Sequence, residues 1–502
     1  MSKRKIGISL SYIYFVASTI IGIFMSSFVV RTIGKTNYGV YQSMTAFVSY
    51  LILLEFGTGT VMSRNLSLLK KDGTDNEEIN KNVSTIWTLN SVLILLICSV
   101  AVIFYLLIPI IYSRSMTSDQ IIMGKHLFIF AAFSLLCSFS QQMMNGILIG
   151  NEFYVFEKLF SLIKLIIRSI LVVSILAIKP NIYYLVTIDA FLSIAILFAT
   201  YLYIKKKLKY RFTYSNFDKN IFKFILPLCF AMLLQTIVNT ANGSVDKFLI
   251  SVMMTPEDVS VYAIAMTMFS MFSSVATLPV TMFMPQVAQN IKAGLKGKEL
   301  ADTLINPCRL NVLITGLIAF GFAVIGKQFL VILYGEDFEY AWVCAMIIIF
   351  PMFLNMSNAV IINVLDVLNK RHVRSLILMI TTAANIIMTI IGIKFIGMLG
   401  ASIATGISLL CQVILLNIFY SKKIGIPVMY LFGKSFKGIL LPLFVSCIGA
   451  YILVYFLDNL YLQFLVGGFA FVVLFAVLFL IFGANKYERG MILKFKNKLV
   501  HK

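Results

Sequence analysis

The residues best suited to chemistry in this sequence are charges within one long apolar segment, residues 155–178. Five polar residues fall at spacings that place them within one face of a helix: Glu157, Lys158, Ser161, Lys164 and Arg168. At a rise of about 1.5 Å per residue, Lys164 and Arg168 would lie about 13 to 20 Å inside a membrane span. Cations at this depth are costly and seldom merely structural. The pattern predicts a binding surface for an anionic group such as a phosphate diester or pyrophosphate.

Acidic residues offer an alternative explanation for these cations. Three lie within or at the margins of apolar segments: Glu55, Asp189 and Asp246. Each can bind a coupling proton or cation, and each can equally serve as an ion-pair partner. If one of them, or Glu157, pairs with a cation of the 155–178 segment, that cation is structural. The sequence leaves both interpretations open.

Polar stripes run along three other apolar segments. The fourth segment carries Ser134, Ser138, Gln141 and Asn145, and the seventh carries Gln235, Asn239, Asn242 and Asp246. The eighth carries only serines and threonines, which is typical of helix–helix packing. Side-chain amides need several hydrogen-bond partners each, so the two amide-bearing stripes predict a hydrated cavity.

No residue pattern points to catalysis, a cofactor or a metal. The three histidines and seven cysteines are scattered, without metal-site spacing or a Cys-x-x-Cys pair. Gly34-Lys35-Thr36 resembles the end of a phosphate-binding loop, but Val29 stands where the first glycine is required. We therefore expect no enzyme activity. Transport would draw on an ion gradient, the substrate gradient or an ATP-driven partner.

The elements that must position these residues are membrane spans. Hydrophobic residues make up 60% of the 502-residue chain, charged residues 13%, and the mean hydropathy is +0.93. A soluble domain of this length needs far more charge to cover its surface. The net charge of +21 does not indicate nucleic-acid binding, because the positive charges are concentrated in alternate loops between apolar runs.

Fourteen apolar runs are long enough to be transmembrane helices. They are 7–30, 39–62, 84–112, 121–147, 155–178, 182–204, 220–245, 258–284, 309–334, 340–366, 373–396, 398–420, 437–457 and 461–483. The first is too long for a signal-peptide core and is expected to remain as a span. Loops rich in Lys and Arg alternate with loops that have few, which predicts a multi-pass protein with both termini in the cytoplasm.

The basic stretch 205–211 predicts a cytoplasmic linker between two six-helix halves. We expect an N-terminal lobe at 1–210, a C-terminal lobe at 211–422, and two additional helices with a basic tail at 423–502. Short matches support an internal repeat: Gly39-Val40-Tyr41 with Ser260-Val261-Tyr262, and Asn145 and Asn151 with Asn363 and Asn369. Parallel repeats are common in secondary transporters, with the substrate site between the halves.

Four short motifs carry a family resemblance. They are 29–41 between the first two spans, Glu55-Phe56-Gly57 in the second, Asp246-Lys247 closing the seventh, and Val261-Tyr262 opening the eighth. With the fourteen-span layout, they resemble polysaccharide-transport (Wzx-type) flippases of the multidrug/oligosaccharidyl-lipid/polysaccharide exporter superfamily. The resemblance covers nearly the whole chain. It implies two six-helix lobes facing each other in a V, two extra C-terminal helices, and alternating access around a cationic cavity.

The resemblance also implies a substrate. This would be an undecaprenyl-pyrophosphate-linked oligosaccharide, moved from the inner to the outer leaflet of a bacterial cytoplasmic membrane for capsule, O-antigen or exopolysaccharide synthesis. Lys164 and Arg168 would meet the pyrophosphate, and sugar hydroxyls would contact Gln141/Asn145 and Gln235/Asn239. A proton or sodium ion would supply coupling, and a polysaccharide polymerase and glycosyltransferases would be partners in the same pathway.

Three alternatives differ in the residues that they require. A peptidoglycan-precursor flippase resembles a more strongly cationic first-helix pattern, and the first span here has no internal Arg or Lys. A multidrug or cation antiporter should carry acidic residues in its cavity, whereas the central charges here are mainly basic. A membrane-embedded glycosyltransferase or polymerase needs sizeable outer loops bearing catalytic residues, and most outer loops here are shorter than about 15 residues.

Overall fold

A computed structural model of the protein is helical throughout the part of the chain that it describes. The backbone is described at 3–490, except at positions 209, 211, 358, 369 and 486. Side chains are described over the same range, except also at 3–9, 12, 215, 234, 235, 238, 239, 241 and 242. No strand occurs within these limits, and the predicted all-α fold is confirmed.

Eighteen α-helices make up this part of the chain. The first seven are α1 (Lys3–Ile33), α2 (Lys35–Val48), α3 (Thr58–Lys71), α4 (Asn76–Ile111), α5 (Ser118–Gly150), α6 (Tyr154–Ile178) and α7 (Ile182–Lys207). The next eight are α8 (Lys219–Met253), α9 (Pro256–Ala276), α10 (Leu278–Lys292), α11 (Gly297–Tyr334), α12 (Glu339–Ser357), α13 (Ile362–Val367), α14 (Arg371–Ile396) and α15 (Met398–Phe419). The last three are α16 (Val428–Phe436), α17 (Leu440–Tyr455) and α18 (Leu460–Leu478).

All fourteen predicted apolar runs fall on these helices. Among the described residues, twelve helices are long and apolar enough to cross a membrane, or thirteen if α16 and α17, bent by 45°, form one span. The 35-residue α8 covers the predicted seventh run. Large apolar side chains are exposed on the helix surfaces, including Phe395 at 82% and Ile110 at 70%. Lipid rather than water suits such a surface, and the protein is a polytopic membrane protein.

The second predicted span is interrupted rather than continuous. After α2 the chain passes through a 3₁₀ segment, Ser49–Leu54, and then breaks at Glu55, Phe56 and Gly57 before α3 begins. Phe56 and Gly57 have φ of 56° and 62°, a conformation that glycine adopts readily. A Cβ on Gly57 would lie 2.5 Å from the Met232 Cβ of α8. Non-helical backbone within a span is tolerated where it is buried in protein or lines a cavity.

α3 and α5 pack with their backbones in contact. A Cβ on Gly59 would collide with the backbone of Gln142, and one on Gly146 would collide with the backbone of Gly59. Gly150, one turn further along α5, also lies close to α3, since a Cβ there would be 2.8 Å from the Leu66 Cβ. Small residues at four-residue spacing commonly allow membrane helices to approach in this way.

The helix bounds repeat along the chain at a separation of 221 residues, the distance between Lys35 and Pro256. Equivalent bounds are the starts of α2 and α9, the ends of α3 and α10, and the starts of α4 and α11. The break between α2 and α3 recurs at Thr277, between α9 and α10, and each interrupted span covers 37 residues. The sequence match of Gly39 with Ser260 has the same register and belongs to this repeated helix arrangement. The match of Asn145 with Asn363 has a separation of 218 residues, and Asn369 lies outside the described residues.

Two compact units divide the chain at 260/261. In the second unit, Arg309 of α11 is 4% exposed and donates to Glu488 at 2.8 and 3.0 Å. It also donates to the carbonyls of Lys434, Lys437 and Gly483, at 3.2, 2.6 and 3.0 Å. All five guanidinium donors are therefore used, and they tie α11 to the chain around the last three helices.

Candidate functional site

The two predicted cations lie at the centre of α6. This helix has 25 residues, of which Lys164 is the eleventh and Arg168 the fifteenth, one turn apart on one face. At about 1.5 Å per residue, each lies about 15 Å or more from both helix ends. Apart from Ser161 and Ser169, the other residues in the middle of α6 are apolar. Both cations therefore lie near the middle of the span.

Arg168 forms a two-point ion pair with Asp189, the eighth residue of α7. Its Nε lies 2.5 Å from Oδ1, and its Nη2 lies 2.9 Å from Oδ2. This is the planar, bidentate geometry in which guanidinium groups bind carboxylates and phosphates. The two side chains are 31% and 25% exposed. One of the two cations thus has a carboxylate partner, but the pair is not sealed in the interior.

Lys164 has no such partner. Its Nζ donates to Ser193 Oγ at 3.3 Å, one turn along α7 from Asp189. It forms no ion pair in the described part of the chain. Two cations and one carboxylate leave the cluster with a net positive charge near the middle of the span. Because an uncompensated charge at this depth is unfavourable, the cluster is suited to receive an anion.

A cavity of about 200 Å³ lies beside Asp189. Residues of α2, the 3₁₀ segment after it, α5 and α7 line this partly open cavity. Its polar lining consists of Asp189 and the hydroxyl-bearing residues Tyr41, Thr45, Ser49 and Ser134. The Asp189 carboxylate therefore has access both to Arg168 and to a space lined with hydroxyl groups.

A larger polar groove of about 480 Å³ lies at the N-terminal end of α6. The side chains that line it are Thr60, Ser63, Arg64 and Ser67 of α3, Gln142, Asn145 and Ile149 of α5, and Glu157 of α6, with Gly59 and Gly146. Glu157 is 9% exposed and pairs with Lys158 at 3.2 Å. Hydroxyls, amides, a carboxylate and one arginine can bind sugar hydroxyls and phosphate oxygens. The polar face of α6 connects this groove to the cations.

Gln141 and Asn145 are brought together between the groove and α7. Gln141 Nε2 donates to Asn145 Oδ1 at 2.8 Å and to Thr200 Oγ1 at 3.1 Å. Gln141 Oε1 is buried and has no partner among the described residues. An unpaired buried acceptor costs about 1–3 kcal/mol, and a hydroxyl of a bound ligand can supply the missing donor.

The remaining predicted site residues lie on α8 and at the break in the second span. Gln235 and Asn239 lie on α8, and their side chains are outside the described residues. Asp246, also on α8, is 5% exposed. Glu55 is 8% exposed, lies at the break in the second span, and has Gln142 as a polar neighbour. Neither acid pairs with a cation of α6 in the part of the chain described here.

Sequence reasoning missed several residues of the site. Ser193 and Thr200 follow Asp189 by four and eleven residues on α7, so they lie on the same helical face. That stripe was visible in the sequence. Arg64 carried no such signal, because the sequence places it at the start of a loop with many basic residues.

Comparisons with known proteins agree on the type of protein. Residues 5–291, more than half of the chain, match the model of a family described as "Polysaccharide biosynthesis protein". Among curated proteins, none matches the sequence.

Solved structures of transporters share the fold. A structure titled "Lipid II flippase MurJ, inward closed conformation" has a TM-score of 0.74 at 18% identity, covering 94% of this chain and 99% of that one. A multidrug resistance MATE family transporter of the MOP superfamily has a TM-score of 0.55 at 12% identity, covering 84% and 94%. The Vibrio cholerae MATE transporter VcmN has a TM-score of 0.51 at 11% identity, covering 84% and 98%. These likenesses concern the fold, which is that of membrane transporters.

Proposed function

The chain belongs to the polysaccharide biosynthesis protein family, and from this premise we propose that it is a lipid-linked oligosaccharide flippase. Its substrate is an undecaprenyl-pyrophosphate-linked repeat unit, which it moves from the inner to the outer leaflet of a bacterial cytoplasmic membrane. The product supplies capsule, O-antigen or exopolysaccharide synthesis. Both termini lie in the cytoplasm, and glycosyltransferases and a polysaccharide polymerase act before and after it.

The cluster of Lys164, Arg168 and Asp189 is the observation that supports this substrate. It places more positive than negative charge near the middle of a span, between a polar groove and a hydroxyl-lined cavity. A neutral lipid or a cationic drug gains nothing from such a cluster. A pyrophosphate diester does, because it offers two anionic groups to a point charge and a guanidinium fork.

In this mechanism the headgroup first occupies the groove at the N-terminal end of α6. Its phosphates then pair with Lys164 and Arg168, while sugar hydroxyls contact Gln141 and Asn145. Gln235 and Asn239 of α8 are further candidates for sugar contacts. The polyprenyl chain stays in lipid throughout, because its transfer from hydrocarbon to water would be unfavourable. Rocking of the two halves then changes the side from which the site is open.

Three acidic residues are candidates for coupling to a proton or sodium ion. Asp189 is in direct contact with Arg168, so a change in its charge would act on the anion site. Glu55 and Asp246 are buried elsewhere in the first unit, and a change in their charge would reach the anion site through movement of their helices. Asp189 is therefore the preferred candidate.

A peptidoglycan-precursor flippase is the second candidate function. It is favoured by one specific observation, the fold shared with a lipid II flippase over nearly the full length of both chains. Both functions require the same pyrophosphate chemistry at the cation cluster, so the saccharide distinguishes them. Multidrug export, suggested by the MATE likeness, is disfavoured because the central cluster is cationic.

The test is to delete the gene and quantify polyprenyl-linked saccharides on each face of the membrane. Loss of surface polysaccharide, with a polyprenyl-linked repeat unit accumulating on the cytoplasmic face, is expected. Accumulation of lipid II with arrested wall synthesis would establish the second candidate. Unchanged lipid intermediates with new sensitivity to cationic dyes would overturn both.

A further inference from the structure

The pair of helices that carries the cation cluster has a counterpart in the second repeat. Arg168 and Asn385 are the fifteenth residues of α6 and α14. Asp189 and Thr405 are the eighth residues of α7 and α15. Asn385 Nδ2 donates to Thr405 Oγ1 at 3.5 Å. The same two positions are therefore joined in both repeats, by an ion pair in the first and by a neutral hydrogen bond in the second.

The two pairs also differ in burial, and the charged pair is the more exposed. Asn385 and Thr405 are buried, at 4% and 5% exposure. Arg168 and Asp189 are only half-buried, and the carboxylate lines the 200 Å³ cavity. Lys164 is the eleventh residue of α6, and its counterpart in α14 is the buried Thr381. At these positions the second repeat therefore has buried, uncharged residues, whereas the first repeat has charged residues beside a cavity.

This comparison separates packing from function. The second repeat holds the equivalent helices together without any charge at these positions, so packing does not require the ion pair. Charges within a membrane are unfavourable unless they serve a purpose, and a paired charge is often no more stabilising than an uncharged alternative. The purpose of the charges in the first repeat is therefore to be sought in ligand binding.

We propose that anion binding is confined to the first repeat, and that Arg168 stays paired with Asp189 until a phosphate of the substrate replaces the Asp189 carboxylate. This inference rests on the proposed function and adds the event that admits the substrate. A phosphate presents two oxygens to a guanidinium group in the same bidentate geometry as a carboxylate. Lys164, which has no carboxylate partner, is the first cation that an arriving phosphate meets.

The displaced carboxylate has candidate partners in the cavity that it lines. Tyr41, Thr45 and Ser134 bring hydroxyl groups to this cavity. The hydroxyls of Thr45 and Ser134 donate to backbone carbonyls of their own helices, so each would rotate to donate to the carboxylate. Hydroxyl donors can satisfy carboxylate oxygens, and the cavity has ample room for water molecules at about 30 Å³ each. In this exchange Arg168 pairs with the phosphate instead of with Asp189. The Asp189 carboxylate in turn accepts hydrogen bonds from hydroxyl groups and water, so no charge is left without a partner.

The test replaces the pair by the residues of the second repeat. Full-length protein in lipid nanodiscs would carry Arg168→Asn with Asp189→Thr, or Asp189→Asn alone, and Asn385→Ala would be the matched control in the second repeat. The probes are undecaprenyl pyrophosphate and uncharged undecaprenol. We expect the exchanged pair to weaken pyrophosphate binding at least about tenfold, with unchanged undecaprenol binding and an unchanged melting temperature. Asp189→Asn should tighten pyrophosphate binding, because an amide competes less well for Arg168.

Three results would overturn the exchange. Weaker pyrophosphate binding by Asp189→Asn would mean that Asp189 positions Arg168 rather than competing for it. An exchanged pair that binds normally, or one that no longer folds, would make the ion pair structural. Absence of pyrophosphate binding by the unmodified protein would instead count against the proposed function, so the two failures are distinguishable.

Discussion

Thr36 and Glu257 are equivalent residues of the two repeats, and they contact each other. The hydroxyl of Thr36 donates to the Glu257 carboxylate across 221 residues, the separation that relates α2 to α9. The contact around them is reciprocal: Ser260 donates to the Lys35 carbonyl at 2.5 Å, and Gly39 faces Pro256. Self-complementary contacts of this kind arise where equivalent surfaces meet about a two-fold axis. The starts of α2 and α9 therefore meet as a local pseudo-symmetric pair.

Gly39→Ala should disrupt this contact. The new Cβ would collide with the backbone carbonyl of Pro256, and a backbone atom cannot turn away as a side chain can. Overpacking of this kind typically costs about 1–3 kcal/mol. We expect a lower melting temperature of the purified protein and less surface polysaccharide in cells.

Gly433→Ala is the control for this prediction. Gly433 also lies in a helix, α16, but has open space at the position of a Cβ. Replacement there should be neutral or slightly stabilising, since alanine favours helix more than glycine. Equal melting temperatures of the two variants would show that the α2–α9 contact accommodates a methyl group at position 39 and would contradict this prediction.

The buried ion pair of Arg309 and Glu488 should be essential for the stability of the second unit. Their side chains are 5% and 7% exposed, so Glu488→Ala leaves a buried guanidinium group without its counter-ion. Breaking such a pair costs about 3–5 kcal/mol. Thermal unfolding in detergent should show a large loss of stability for Glu488→Ala. Arg309→Lys should be similarly damaging, because three lysine donors cannot replace five arginine donors.

Lys327 and Glu339 provide a matched exposed pair in the same unit. They are 2.7 Å apart, with side chains 46% and 52% exposed. Exposed pairs contribute about 0–1 kcal/mol, so Lys327→Ala should leave the melting temperature nearly unchanged. If Glu488→Ala were as mild as Lys327→Ala, the five hydrogen bonds of Arg309 would not hold the last helices in place.

Arg64 and Lys70 test the role of the polar groove. Both are exposed cations of α3, but only Arg64 lines the groove. In proteoliposomes supplied with the lipid-linked oligosaccharide, Arg64→Ala should raise the apparent KM roughly tenfold with little change in kcat, because it removes a charged contact made on binding. Lys70→Ala should behave like the unmodified protein. Equal effects of the two substitutions would point to general surface charge rather than to the groove.

The sequence predicted the spans well because lipid imposes long apolar runs, and all fourteen runs fall on helices. It also placed Lys164 and Arg168 on one helical face, since that follows from spacing alone. It did not single out Asp189 as the partner of Arg168, because the choice among four acidic residues depends on which helix lies beside α6. The break at Glu55–Gly57 was likewise hidden, since it depends on contact with Met232 of another helix. Contacts between distant segments are what the spacing of residues leaves undetermined.

The most direct test of the account is to measure export in cells whose protein carries Lys164→Ala together with Arg168→Ala. Expression and membrane insertion would be verified in the same cells, and Lys70→Ala together with Lys71→Ala, two exposed cations of α3 that do not line the groove, would control for the loss of two positive charges. We predict that the Lys164/Arg168 variant accumulates the lipid-linked repeat unit on the cytoplasmic face, as a deletion strain does, while the Lys70/Lys71 variant exports normally. Export by the Lys164/Arg168 variant at the rate of the unmodified protein would contradict the cationic site.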